Sequence, residues 1–118
     1  MKDCEIWQIN LHHSQLATEE LVSRLRVRHS KPDKSTIVMV QEPYLVKGKI
    51  KGIDSSCKIM THKDDPRAAI VTYGLKNIWH VPKFSSQDIS TCVLEVNGKK
   101  TYLVSAYLDI NYKTINDN

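Results

Sequence analysis

The chain has 118 residues, of which 41% are hydrophobic, and this is the range of one small globular domain. A mean hydropathy of -0.39 and the absence of an apolar run near ~18 residues argue against a membrane span. The N-terminus lacks the basic-then-apolar leader of a secretory signal, so we expect an intracellular protein. The net charge of +4 favours polyanionic partners, although many basic domains bind no nucleic acid.

The three cysteines, Cys4, Cys57 and Cys92, are odd in number and far apart. This spacing fits neither a disulfide framework nor a paired zinc-ligand motif, so reduced structural thiols are the favoured interpretation.

The first third of the chain predicts a strand, a helix and a second strand. Residues 5–10 alternate in polarity, and residues 37–41 form a short β-branched apolar run of the kind found in strands covered on both faces. Between them, residues from about 17 to 29 have helical spacing, with Thr18 as the candidate N-cap and Glu19 and Glu20 in the first turn. This is the length of one right-handed βαβ unit with parallel strands.

The rest of the chain predicts an antiparallel meander. Lysines and glycines at 47–52 indicate an exposed flexible loop, either merely solvated or in contact with a phosphate backbone through Lys47 and Lys49. Short strands are predicted at 58–61, 68–73, 78–80, 91–96 and 101–106, and the last two flank Asn97-Gly98, a strong hairpin signal.

The chain resembles an unfinished fold. Residues 111–118 are polar, and only one helix is visible, whereas a parallel βαβ unit needs helices over its faces. We therefore predict the α/β (α+β) class, with residues 1–118 as a single partial domain.

Two polar residues end the predicted parallel strands. Asn10 and Glu42 would lie at the carboxyl edge of the sheet, where open α/β sheets bind ligands. A carboxylate there suits Mg²⁺, which prefers oxygen ligands and keeps several waters, and an amide can orient a phosphate without adding charge. The alternative is a strand-end Asx turn beside a solvated glutamate.

Four segments extend this pattern and carry a resemblance to a known family. They are Gln8-Ile9-Asn10, Val40-Gln41-Glu42-Pro43-Tyr44, Arg67-Ala68-Ala69-Ile70-Val71 and Val104-Ser105-Ala106-Tyr107. Their order and spacing resemble the endonuclease/exonuclease/phosphatase superfamily, and most of all the apurinic-like endonuclease domains of non-LTR retrotransposons of the R1 and Jockey type. The resemblance spans residues 4 to about 111.

This resemblance implies the N-terminal half of a DNase I-like two-sheet α/β sandwich that nicks DNA with Mg²⁺ or Mn²⁺. Glu42 would hold the metal and Asn10 would help to arrange metal and phosphate. Tyr107 would contact the scissile phosphate or be a buried strand-end residue, and Arg67 would face DNA or serve a structural role. DNA as the partner would imply a nuclear location.

The sequence also departs from the family. The family needs an Asp-x-Asn pair after a glycine and a late Ser-Asp-His segment, and this chain stops before either. Asp109-Ile110-Asn111 matches the Asp-x-Asn pattern but follows Tyr107 too closely, so we interpret it as a chance match. We expect the chain to be inactive or nearly so by itself, and to expose apolar sheet surface through which it could associate.

Two alternatives stay open at this stage: a non-catalytic remnant that binds nucleic acid or protein, and a phosphoesterase of the same fold acting on a phosphoinositide or another phosphoester. His12 and His13 are not expected to act together, since adjacent side chains usually point in different directions. Trp7 and Trp79 are expected in the core.

Overall fold

A computed structural model describes residues 3–108. The elements are β1 (Asp3–Asn10), α1 (Gln15–His29), β2 (Lys34–Gln41), β3 (Leu45–Val46), β4 (Lys49–Ile50), β5 (Lys58–Thr61), β6 (Ala68–Tyr73), β7 (Ile78–His80), β8 (Ile89–Val96) and β9 (Lys99–Ala106), with a short 3₁₀ turn at Pro82–Phe84. The polar tail at 111–118 and the Asp-x-Asn match at Asp109-Ile110-Asn111 lie outside the described residues.

The first sheet has the strand order β1-β2-β6-β5. β1 and β2 are parallel and joined by α1, which confirms the predicted βαβ unit. Their register sets Asn10 opposite Gln41, so the two strands end together. β6 runs antiparallel to β2, and its start therefore lies at the same edge as the end of β2.

The second sheet contains β7, β8 and β9, all antiparallel. Its β8–β9 hairpin turns at Asn97 and Gly98 with φ of 52° and 78°, as the sequence predicts. The antiparallel pairing predicted for this part of the chain is confirmed, and its strands are divided between the two sheets: β5 and β6 join the first sheet, and the chain changes sheets between β6 and β7. The boundary is not visible in the sequence because the change of sheet depends on long-range packing.

β2 joins the two hydrophobic layers. Val38 and Val40 pack with Leu21 and Leu25 of α1, and the alternate residues, Ile37 among them, pack between the two sheets. The prediction of a strand buried on both faces is confirmed. The result is three layers, with α1 on the outer face of the first sheet and the second sheet on its inner face.

The start of α1 differs from the prediction. Ser14, not Thr18, is the N-cap, and its hydroxyl accepts a hydrogen bond of 3.0 Å from the Ala17 amide. Thr18 is 1% exposed and its hydroxyl donates to the Ser14 carbonyl, so it serves as an inward-facing helix residue. Consequently Glu19 and Glu20 lie beyond the first turn.

Two further expectations are corrected. The segment predicted as a flexible loop at 47–52 contains a tight hairpin, in which β3 and β4 are joined by Lys47 and Gly48 with φ of 53° and 78°. Trp79 is 48% exposed on the outer face of the second sheet, whereas Trp7 packs against the helix-side core as expected.

Within residues 3–108, no helix is long and apolar enough to cross a membrane.

The sandwich is open on one side. β9 packs against β2 and β6. Within the described residues, β1 and β9 are edge strands of their sheets, and no strand pairs with their outer edges. Ile6 pairs in register with the buried Ile37 and so points to the inner face, yet it is 58% exposed. The side along β1 and β9 thus leaves inner-face apolar surface uncovered.

Candidate functional site

Ends of several elements converge at one edge of the molecule. β1 and β2 end there at Asn10 and Gln41, β6 begins there after Arg67, and β9 ends there before Tyr107. A buried link joins the two sheets at this edge, because the Gln41 amide donates to the Ser105 hydroxyl at 2.9 Å. All four segments singled out in the sequence therefore reach this edge, which the strand-end pattern predicted for Asn10 and Glu42.

Glu42 leaves the end of β2 with a positive φ of 50°. Its amide donates to the Arg67 carbonyl at 2.9 Å, and its own carbonyl accepts from the His13 amide at 2.8 Å. These backbone bonds fix the residue between the β1–α1 loop and the start of β6. Its side chain is 22% exposed, so the carboxylate is held by the fold and still open to a ligand.

Asn10 ends β1 opposite Gln41, the residue that precedes Glu42. Its side-chain oxygen accepts a hydrogen bond of 2.8 Å from the His12 amide, which is the Asx turn considered as the alternative role. That bond occupies one of the two lone pairs of the oxygen. The residue consequently shapes the loop, and its side-chain oxygen keeps a second lone pair.

His12 and His13 both contact the Glu42 carboxylate. His12 Nδ1 lies 3.6 Å from one carboxylate oxygen, and His13 Nε2 lies 3.4 Å from the other. The expectation that adjacent side chains diverge here is wrong, because both residues have positive φ, at 50° and 56°. Two successive left-handed residues turn the loop so that both rings reach the same carboxylate, and sequence spacing gives no sign of this.

Arg67 forms a second cluster at the edge. Its guanidinium is ion-paired with Asp88 at 2.5 Å and lies 5.5 Å from the centre of the Tyr107 ring. The Tyr107 amide in turn donates to the Asp88 carbonyl at 2.8 Å. Tyr107 is half-buried rather than buried, and its ring is held by a cation–π contact. Asp88 is a member of this cluster that sequence reasoning missed, since no motif marks it.

The lysines of the β3–β4 hairpin differ in their surroundings. Lys49 donates to the Asp64 carboxylate at 2.8 Å, and this hydrogen bond lowers the pKa of Asp64 below its usual range. Lys47 is exposed at the hairpin turn. Asp65 holds the hairpin in place, because its amide donates to the Gly48 carbonyl at 3.0 Å. Of the two predicted phosphate contacts, only Lys49 is thus committed to an acidic partner in the structure.

No family model matches the sequence, and no curated protein matches it. Among solved structures, the endonuclease domain of TRAS1, a telomere-specific non-LTR retrotransposon, matches with a TM-score of 0.66 and 23% sequence identity. The match covers 88% of this chain.

The chain has the fold of a retrotransposon endonuclease domain. This confirms the predicted DNase I-like α/β class. The chain spans 44% of the chain that it matches, which agrees with the open side along β1 and β9. At this sequence identity the likeness establishes the fold.

Proposed function

We propose that this chain is part of a metal-dependent phosphodiesterase that nicks DNA, with Glu42 as its metal-binding carboxylate. The observation that carries the proposal is the meeting of Asn10 and Glu42 at the carboxyl edge of a parallel strand pair, within an endonuclease fold. Ligands bind at that edge in open α/β sheets.

The side chains present fit a hard divalent cation. Mg²⁺ is commonly held by one or two carboxylates, while waters and substrate phosphates complete its shell. Among residues 3–108, no group of three His, Cys, Asp or Glu side chains could form a full protein cage, so a cation that keeps its waters suits the single Glu42 carboxylate. Such an ion, when bound, would polarise a phosphoryl oxygen and lower the pKa of a water.

The neighbouring groups suit a nucleic-acid phosphate. We assign Tyr107 to orienting the phosphate and Arg67 to fixing the Tyr107 ring, since the guanidinium already lies over it. Lys47, exposed at the hairpin turn, is the better backbone contact of the two lysines because Lys49 pairs with Asp64. The net charge of +4 supports DNA as the partner, and action on DNA would imply a nuclear location.

The 118 residues are proposed to be a partial domain with little activity of their own. The Asp-x-Asn and Ser-Asp-His groups that the family resemblance implies have no counterpart among the described residues. General-base and electrostatic groups each contribute factors of ~10² or more to such reactions. Nicking is therefore expected from the domain completed by its second half.

The test is nicking of supercoiled plasmid in Mg²⁺ by the 118-residue chain, by a longer version that continues through the second half of the domain, and by Glu42→Ala in the longer version. We expect the longer protein to nick, chelation to abolish nicking, and Glu42→Ala to lower the rate by ~10² or more. Glu19→Ala, an exposed glutamate on α1, is the matched control and should retain full activity. Robust nicking that survives Glu42→Ala would contradict the assignment.

A binding module without chemistry is the second candidate, and one observation favours it. The uncovered inner face at Ile6, beside the edge strands β1 and β9, could pair with another chain. If this is the function, the longer version should show no Mg²⁺-dependent nicking and the 118-residue chain should self-associate, which sedimentation velocity would detect. Substitution Ile6→Lys should then return it to a monomer.

A further inference from the structure

The β1–α1 loop presents two histidines to Glu42 in a fixed arrangement. The Leu11 amide donates to the Gln41 carbonyl at 2.9 Å, which extends the parallel ladder past the strand end. The His13 amide donates to the Glu42 carbonyl at 2.8 Å, one step further. Because the backbone holds both partners, the contact between the rings and the carboxylate is built into the loop.

A third bond sets the hydrogen position on His13. Its Nδ1 lies 2.9 Å from the Pro43 carbonyl oxygen. A carbonyl oxygen only accepts, so Nδ1 must carry the hydrogen and donate it. Nε2 is therefore the ring nitrogen left to face the Glu42 carboxylate, and it lies 3.4 Å from a carboxylate oxygen. The two atoms lie where they could both be ligands of one cation.

The surroundings of His13 match those of a metal-ligating imidazole. Ligating histidines almost always donate their other ring N–H to a carboxylate or a backbone carbonyl, as His13 does to Pro43. The spacing also fits, because two ligands ~2.1 Å from a tetrahedral metal lie ~3.4 Å apart, and the Nε2–Oε2 distance is 3.4 Å. His12, whose side chain is 78% exposed and whose Nδ1 is 3.6 Å from Glu42, is less well placed.

We propose that His13 Nε2 and the Glu42 carboxylate form a mixed imidazole–carboxylate site that takes a first-row transition cation, such as Zn²⁺, Co²⁺ or Mn²⁺, in preference to Mg²⁺. This rests on the proposed function, which assigns the metal to Glu42, and adds a nitrogen ligand to it. Imidazole suits these cations, whereas Mg²⁺ is bound through oxygen. The remaining coordination positions are open to water and a substrate phosphate.

The test uses the 118-residue chain, free of any polyhistidine tag, titrated with Zn²⁺ and separately with Mg²⁺. Binding is followed through the ¹⁵N signals of the histidine rings and the amide shifts around Glu42. The variants are His13→Asn, which keeps a residue tolerant of positive φ, and Glu42→Gln. His62→Asn, at an exposed histidine in another loop, is the control. Thermal unfolding of each variant checks that it is folded.

We expect Zn²⁺ to bind more tightly than Mg²⁺ and to shift His13 Nε2 while Nδ1 keeps its hydrogen. His13→Asn should weaken Zn²⁺ binding by ~10-fold or more, and change Mg²⁺ binding by less than about twofold. Glu42→Gln should weaken both, and His62→Asn neither. Unchanged Zn²⁺ affinity in His13→Asn would overturn this inference alone. Unchanged affinity for both metals in Glu42→Gln would overturn the metal assignment of the proposed function as well.

Discussion

The buried link between Gln41 and Ser105 offers the most direct test of how the two sheets hold the site together. The Ser105 hydroxyl, 1% exposed, accepts from the Gln41 amide and donates to the Val40 carbonyl, both at 2.9 Å. Gln41 precedes Glu42, and Ser105 lies two residues before Tyr107. Substitution Ser105→Ala would thus remove this link between the two sheets at the edge where the proposed catalytic residues lie.

The expected cost follows from what the substitution leaves behind. Gln41 is 8% exposed, so its amide hydrogen would have no partner and little water. A buried donor left in this state costs about 1–3 kcal/mol. Ser90→Ala is the matched comparison, because the Ser90 hydroxyl is equally buried but only donates, to the Met60 carbonyl at 2.7 Å. Losing that one bond should cost about 1 kcal/mol.

Urea unfolding monitored by circular dichroism would measure Ser105→Ala, Ser90→Ala, Gln41→Leu and the double variant Gln41→Leu/Ser105→Ala. We expect Ser105→Ala to lose about 2 kcal/mol, and the double variant Gln41→Leu/Ser105→Ala to recover part of this, because the stranded donor is then gone. If Ser105→Ala cost no more than Ser90→Ala, or if the double variant added the two single losses, the bond would not be holding the sheets as described.

Three further predictions concern the fold. Gly74→Ala should destabilise the protein more than Gly98→Ala, as measured by thermal unfolding. Both glycines have positive φ, at 79° and 78°, but an added Cβ at Gly74 would lie 2.8 Å from a backbone oxygen of β2, while at Gly98 it would meet no atom within 4 Å. Ser14→Ala should cost about 1 kcal/mol through loss of the α1 N-cap, measured by urea unfolding, and no loss would contradict the cap. Burial lowers the pKa of His29, and the neighbouring Arg28 charge lowers it further. The unfolded chain therefore binds the proton more readily, and stability should fall as pH drops below about 6.5. Urea unfolding at pH values above and below about 6.5 should show a smaller change of stability with pH in His29→Gln.

The sequence predicted the fold where local chemistry decides it. A β-branched apolar run is typical of a strand that is covered on both faces, which predicted the burial of β2. Asn and Gly readily adopt positive φ, which predicted the turn at Asn97-Gly98. The predicted helix start is wrong because Thr18 has the chemistry of a cap but lies on the buried face of α1 with Leu21 and Leu25. The change of sheet after β6 depends on long-range packing and leaves no local signal.

The site was predictable in part for the same reason. Asn10 and Glu42 could be placed together because parallel strands end at one edge, and this needs only the strand assignments. The contacts of His12 and His13 with Glu42 depend on two successive positive φ values, which ordinary residues rarely adopt. Asp88 reaches Arg67 across 21 positions of sequence, so only the folded chain shows their pairing.

The proposed site, with one carboxylate and one imidazole, leads to a last prediction, on the coupling of metal and DNA. Two protein ligands leave most coordination positions to water, and a phosphate oxygen would replace one of these waters on binding. Metal and DNA should then each raise the affinity for the other by the same factor, since coupling between binding sites is reciprocal. Fluorescence anisotropy of a labelled duplex with and without Mn²⁺, at constant ionic strength, measures one side of this linkage, and Mn²⁺ titration with and without the duplex measures the other. Equal enhancement that disappears in Glu42→Gln is expected; enhancement that persists in Glu42→Gln would mean that the metal acts elsewhere on the DNA or the protein.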